Sequence, residues 1–418
     1  MSKLVPEVRF KEFSREWEEK LLQKICKINP ATTEIPNKFV YIDLESVKNG
    51  KLLQKKEILK ENAPSRAQRL LEQNDVIYQM VRPYQKNNLF FNFNDNHYVA
   101  STGYAQLRAY NSPNFLYQLV HIDNFVNKVL DKSTGTNYPA INSKDLANIK
   151  IFIPSTPQEQ QKIADTFSSL NNLIEAHTKK LELLKEHKKG LMQKLFPTDD
   201  ERVPEVRFKE FSGEWEEKKL KNVVSYFKGF AFKSKDYTYS GRRIVRVSDM
   251  GFDYIKEIDQ DIYLKEEEAK KYTKWKLQED DLIVTTVGSK PPMYDSLVGR
   301  TIVVKYKDKG FLLNQNAVCL RGNENIYQNF LNILFKRSEY ITFVESIIRG
   351  NANQGSITLE NLFKYKLYIP SFPEQQKIAD TLSSLDNLIE AQNKKIEFLK
   401  DHKKGLMQKM FVSEELEE

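Results

Sequence analysis

The stretch EQQKIADTFSSLNNLIEAHTKKLELLKEHKKGLMQKLF, residues 159–196, decides the architecture because it occurs twice. It returns at residues 374–411, with 30 of 38 positions identical. Within the first copy, apolar residues fall at Ile163, Phe167, Leu170, Ile174, Leu181, Leu184, Leu191 and Leu195. With His177 and Lys188 filling the gaps, the spacing alternates four and three throughout. The second copy repeats it through Ile378, Leu382, Leu385, Ile389, Gln392, Ile396, Leu399, Lys403, Leu406 and Met410. A sustained seam of this period is the pattern of helices that pack through a narrow apolar stripe. Thr156 to Glu159 and Ser371 to Glu374 supply capping-box patterns at the two starts. About 36 helical residues at 1.5 Å each predict a rod of roughly 54 Å.

A second, shorter block is also duplicated. VPEVRFKEFSREWEEK at 5–20 reappears at 203–218, with Arg15 replaced by Gly213. Between the repeated blocks lie 21–158 and 219–373, which barely resemble one another in side chains. Half a chain is far too long a period for a solenoid, so this is one duplicated module. A scaffold carrying two different recognition surfaces predicts this contrast between spared and diverged parts. Charge follows the same division. The whole chain carries 65 Lys+Arg against 57 Asp+Glu, a net +8. Seventeen basic and 11 acidic residues leave 21–158 at +6, and 25 against 18 leave 219–373 at +7. These two segments together hold more than the whole chain's net positive charge, which fits a polyanion as the object recognised.

Two near-identical helices tethered in one chain meet at high effective concentration, so they are expected to pair with each other, antiparallel, around a pseudo-twofold axis. His177 with Gln392, and Lys188 with Lys403, are the polar seam positions expected either to set register or to extend out of the seam. The expected fold class is α+β, with two α/β target-recognition domains joined by the paired helices. The divisions are 1–158, a first recognition domain; 159–196, the first helix; 197–373, a second recognition domain; 374–411, the second helix; and 412–418, an acidic tail.

Both diverged segments alternate strand-like runs with turns in matched order. The first places strands at 39–44, 75–82, 98–102, 105–110 and 149–154 with a helix at 113–127. The second places them at 244–247, 281–287, 299–305, 317–321 and 365–370 with a helix at 327–347. Loops rich in Arg, Asn, Gln, Lys, Ser and Thr lie between them, the residue types that pair with base edges or phosphates. The candidate DNA-contacting residues are Arg82, Tyr84, Lys86, Asn87, Thr102, Tyr104, Thr136 and Asn137 in the first segment. In the second they are Lys228, Lys233, Ser289, Lys290, Asn314, Gln315, Asn316, Arg349, Asn351, Asn353 and Gln354. Turns favour Gly, Asn and Ser for conformational reasons too, so composition alone does not single out any one of them.

Catalytic patterns are missing from the sequence. No glycine-rich loop ends in Lys-Ser/Thr, and no HExxH or Cys/His cluster supplies metal ligands. His187 and His402 recur at matching helix positions without neighbouring ligands and read as surface residues. Lys290-Pro291-Pro292-Met293-Tyr294 lacks the leading Asn or Asp of an amino-methyltransferase loop, and reads as a rigid turn. Cys26 and Cys319 are isolated, which suits a reducing compartment. Met1 to Phe10 has no apolar signal-peptide core and no stretch is long enough to span a bilayer, so a cytoplasmic chain is expected.

The duplicated VPEVRF with Glu214-Trp215-Glu216, the Ile153-Pro154 and Ile369-Pro370 pairs leading into Glu-Gln-Gln-Lys-Ile, and Gly229-Phe230-Ala231-Phe232-Lys233-Ser234 carry a resemblance. Over essentially its whole length the chain resembles the DNA-specificity subunit of type I restriction–modification enzymes. The resemblance implies a non-catalytic subunit whose two recognition domains each read half of a bipartite, asymmetric target in double-stranded DNA. It implies that the paired helices set the half-site spacing and dock two adenine-methyltransferase subunits. S-adenosylmethionine would bind those partners and no cofactor this chain, and restriction translocase/nuclease subunits would join the assembly. The alternative is a duplicated coiled-coil adaptor whose basic domains bind nucleic acid outside restriction–modification.

Overall fold

The computed structural model describes residues 4–32, 34–198, 201–251, 253–257, 260–289, 297–351 and 354–412. The chain forms two compact units, Met1–Leu181 with Gln392–Glu418, and Glu182–Ala391. Two 38-residue helices, Pro157–Lys194 and Phe372–Lys409, each contribute one part to either unit.

In the first unit a four-stranded antiparallel sheet runs in the order Cys26–Ile28, Tyr104–Ala109, Asp75–Gln79, Leu89–Phe91. A second sheet runs Lys56–Leu59, Lys38–Ile42, Tyr98–Ser101, Ala67–Leu70, with Lys38–Ile42 and Tyr98–Ser101 parallel. The second unit repeats the first of these sheets as Val224–Lys228, Ala317–Gly322, Leu282–Thr285, Thr301–Val303. It repeats three strands of the other as Ile262–Leu264, Arg242–Val245, Leu312–Leu313, again with the last pair parallel. One topology is thus used twice under different side chains. Asp75–Gln79 is buried along its whole length because it has a core on each face. Val76 and Tyr78 pack toward the helices, while Ile77 packs toward the second sheet. Leu282 and Val284 are divided from Ile283 in the same way. A strand covered on both sides reads as a continuous apolar run, which is why 75–82 and 281–287 stood out in the sequence.

Two short side-chain correspondences between the halves, Asn74-Asp75 with Asp280-Asp281 and Leu107-Arg108 with Leu320-Arg321, have a structural cause. Arg108 grips Asp75 with two hydrogen bonds of 2.8 and 2.9 Å, and Arg321 grips Asp281 with two of 2.6 and 2.7 Å. Each carboxylate is buried and tied to the neighbouring strand, and the residue before each, Asn74 or Asp280, sits in the left-handed region at φ 73° or 65°. The single helices expected at 113–127 and 327–347 are each two. They are Pro113–Leu119 then Asp123–Asp131, and Gln328–Leu334 then Ser338–Ile347. Ile122 and Arg337 turn to extended backbone at the break, so both short helices face their apolar residues into one core. Neither Gly nor Pro marks the break, and the sequence hid it.

Every seam residue named above is buried or half-buried. The helix pair is antiparallel. In the first unit Gln392 Nε2 donates to the His177 carbonyl at 2.8 Å and lies 2.7 Å from His177 Nδ1. In the second, Lys188 pairs with Asp386 at 2.5 Å. Each helix ends by placing an aromatic residue in a domain core. Phe411 lies 6.1 Å from Trp17 and 5.7 Å from Phe115, while Phe196 lies 5.9 Å from Trp215 and 5.6 Å from Phe330.

The short repeated block holds this arrangement. Arg9 makes two 2.8 Å bonds to Glu159 in the first turn of the first helix, and Val8 N–H donates at 2.9 Å to the Lys409 carbonyl at the end of the second. In the other unit Arg207 makes two 2.8 Å bonds to Glu374, and Val206 N–H donates at 2.9 Å to the Lys194 carbonyl. One segment therefore joins the start of one helix to an orphan carbonyl at the end of the other. Reciprocal capping boxes do not form, because both glutamates are taken by arginines. Thr156 Oγ1 accepts weakly from Glu159 N–H at 3.4 Å, while Glu374 N–H goes to the Ser371 carbonyl.

Candidate nucleic-acid interface

Three loops leave equivalent points of the repeated topology in each unit. One follows the central strand, one is the turn before the last strand of the same sheet, and one follows the second short helix. In the first unit these begin at Arg82, Thr102 and Thr136. In the second they begin at Val287, Asn314 and Arg349.

The first unit draws its three loops together through backbone contacts. Arg82 N–H donates to Pro139 O at 2.7 Å, and Met80 N–H donates to Gly103 O at 3.0 Å. The Arg82 guanidinium stacks 4.0 Å from the centre of the Tyr138 ring, and its buried Nε has no partner among the described residues. Arg82 and Lys86 both take left-handed backbone, at φ 53° and 52°, around the short turn Pro83–Gln85. Tyr84, Thr136 and Asn137 are exposed. Tyr138, 63% exposed and held flat by Arg82, is a candidate that residue type alone did not pick out. The other members have partners within the fold. The Tyr104 side chain is fully buried and its hydroxyl donates to Asp43 O. Lys86 bonds Asp123 at 2.5 Å and the His121 carbonyl at 2.8 Å, and Asn87 Oδ1 accepts from Asn49 N–H. Thr102 is half-buried, its N–H bonded to Arg66 O.

In the second unit the chain of contacts is longer. Gly229 N–H bonds Ala317 O, Phe230 N–H bonds Leu313 O, and Gln315 N–H bonds Phe230 O, joining the 228–234 loop to 314–316. Asn316 O accepts from Thr286 N–H, and Val287–Gly288 pairs with Gln354–Ser356 of the hairpin that begins at Arg349–Asn351. Lys228, Lys233, Gln315, Asn316, Arg349 and Gln354 are exposed. Asn314 is 8% exposed, with Oδ1 accepting from Gln315 N–H, and Ser289 is buried. Lys290, Pro291, Pro292, Met293, Tyr294 and Asn353 lie outside the described residues, and of Asn351 only the backbone is described.

Gly229 is there for space. A Cβ would stand 1.7 Å from the Asn314 carbonyl oxygen. Gly229→Ala is expected to push the 228–234 loop off 314–316 and break the Phe230–Leu313 and Gln315–Phe230 backbone bonds. Hydrogen exchange at the Phe230 and Gln315 amides checks this, and unchanged protection would contradict it.

The two buried thiols are chemically quiet. Burial raises Cys26 to about 12 and raises Cys319 further. No described helix is long and apolar enough to cross a membrane.

One α/β topology used twice, with different loops at the same positions and a repeated antiparallel helix pair, defines a duplicated two-domain recognition scaffold. The chain belongs to the family of the type I restriction modification DNA specificity domain, whose model matches residues 14–186 and 212–401. It is similar to the type I restriction enzyme MjaVIII specificity subunit of Methanocaldococcus jannaschii, 29% identical over 279 residues, 66% of this chain and 64% of that protein. It is 25% identical to the HindI specificity subunit of Haemophilus influenzae over 162 residues, 38% of this chain and 35% of that one. The matched region therefore spans less than two thirds of these relatives. A solved type I restriction–modification S subunit from M. genitalium shares the fold at TM-score 0.59 and 14% identity, covering 98% of this chain and 100% of that one. A second solved chain, from work on assembly of a type I restriction–modification system, gives 0.55 at 22%, covering 96% and 98%.

Proposed function

We propose that this chain is the non-catalytic specificity subunit of a type I restriction–modification complex in the cytoplasm. Residues 1–158 and 197–373 each read one half of a bipartite, asymmetric site in double-stranded DNA. Blocks 159–196 and 374–411 set the spacing between half-sites, and 412–418 form an acidic tail. The observation that carries the reading is the placement of three loops at equivalent points of one topology with different side chains in each. Duplicated framework and unlike loops fit two half-sites of unlike sequence. Arg82 with Tyr138, and the exposed Lys228, Lys233, Gln315, Asn316, Arg349 and Gln354, are the strongest contacts proposed. Tyr104 and Asn314 act through the backbone they position.

Two adenine-methyltransferase subunits, each carrying S-adenosylmethionine, would dock on the helix pair, with translocase/nuclease subunits joining them. Off the seam, Leu173 and Phe398 are exposed in the first unit and Leu388 and Leu183 in the second, at positions that correspond in the repeat. Two matched apolar pairs suit two copies of one partner. Leu173→Glu with Phe398→Glu is expected to reduce the modification subunits bound per chain from two to one, at unchanged melting temperature. Light scattering of the complex measures it, and two retained subunits would remove these pairs from the interface. The reading as a whole is tested by methylation mapping after co-expression with the modification subunit. A single bipartite methylated motif is expected, and unpatterned or absent methylation would refute it.

A further inference from the structure

The two helix copies differ at few positions, and one difference alters the charge balance of the seam. Asn171 in the first helix corresponds to Asp386 in the second, and Lys188 corresponds to Lys403. In the second unit Asp386 neutralises Lys188. In the first unit the equivalent lysine, Lys403, meets Asn171 in the lining of a cavity of about 630 Å³. Lys403 is half-buried and has no ion-pair partner among the described residues, and neither has its exposed neighbour Lys404. The other two lysines of the lining are balanced, Lys86 by Asp123 at 2.5 Å and Lys400 by Glu397 at 2.8 Å. Ile174 and Phe411 form apolar wall beside them.

The lining is also partly desolvated. Desolvation lowers the Lys403 ammonium from its ordinary range. Burial, with Lys403 and Lys86 nearby, holds His121 down to about 4 and so neutral at pH 7. A cavity of this size falls within the roughly 300–1,000 Å³ of small-ligand sites. Its combination of apolar wall and unpaired ammonium groups suits a ring with an attached phosphate.

We infer that this cavity is an anion site, taking the phosphate of a nucleotide on Lys403 and Lys404 and its less polar part against Ile174 and Phe411. The phosphate belongs either to a free nucleoside phosphate or to the backbone of a DNA duplex, and only the second source rests on the function proposed above. The second unit lacks such a site at its Lys188 because Asp386 supplies the anion internally. The sequence difference itself supplies the test.

Asn171→Asp places in the first unit the carboxylate that the second unit already has, and Lys403→Met removes the ammonium while keeping the stem. Full-length chain is assayed by equilibrium dialysis with ATP, by thermal unfolding with and without ATP, and by filter binding of duplex DNA across salt. Both variants are expected to weaken one probe about tenfold, with Asn171→Asp raising the melting temperature of the unliganded chain. If ATP is the affected probe, the source is a free nucleotide. If duplex is affected, with a salt slope shallower by about 0.9, it is the DNA backbone. Wild-type affinity for both probes in both variants would overturn the site. Duplex binding by the wild type in that case would leave the proposed function standing.

Discussion

Glu159→Ala is expected to destabilise the first unit by about 3–5 kcal/mol and leave the second unit's transition in place. The Glu159 side chain is 2% exposed, and it accepts both Arg9 bonds and the Trp17 indole N–H at 3.3 Å. Truncation leaves an arginine with 11% side-chain exposure and no counter-charge, together with a buried donor, which is the costly way to break such a pair. At about 2–4 °C per kcal/mol for a unit of this size, the first unit's melting transition falls by roughly 10 °C. Calorimetry resolves the two transitions and limited proteolysis assigns them. Glu374→Ala is expected to move the other transition, since Arg207 plays the same part there. Replacing Arg9 and Glu159 together by methionine is expected to cost far less than either truncation alone, because no charge is then stranded. Equal losses for single and double variants would assign the effect to packing.

The second large effect concerns recognition. Exchanging 21–158 for the matching segment of a relative is expected to change one half of the methylated motif and preserve the other. Affinity for the original site should fall by about 10³-fold or more, the usual gap between specific and non-specific binding. The physical basis is that the cores are separate. Val76, Tyr78 and Phe115 pack within the first unit, and Leu282, Val284 and Phe330 within the second. A change of both half-sites would show that the two domains read DNA jointly, and would sink the modular reading.

The expected strands at 39–44, 75–82, 98–102, 105–110 and 149–154 fall on Lys38–Ile42, Asp75–Gln79, Tyr98–Ser101, Tyr104–Ala109 and Lys150–Ile153. Their apolar runs lie between turn residues, so local pattern sufficed. Glu18–Leu21 and Glu216–Lys219 are mostly charged and carry no strand-like apolar pattern. They become strands by pairing with Lys150–Ile153 and Lys366–Ile369, well over a hundred residues away. Among the loop residues, type did not separate Arg82, stacked on Tyr138, from Tyr104, sunk in the core. A tyrosine at the start of a strand is compatible with either position, and burial depends on what packs over it.

The sequence by itself determined the duplication, the helix seam and the concentration of positive charge on 21–158 and 219–373, because each of these is a local or periodic property. Tertiary structure alone decided that Arg9 meets Glu159 and Arg207 meets Glu374, so that the short block and the long block hold each other. It also decided that Asn171, an unremarked difference between two copies, leaves Lys403 without the carboxylate that Lys188 has in Asp386. Such pairings join residues 150 or more positions apart, and charge compensation depends on the distance between groups in the folded chain, which periodicity does not encode.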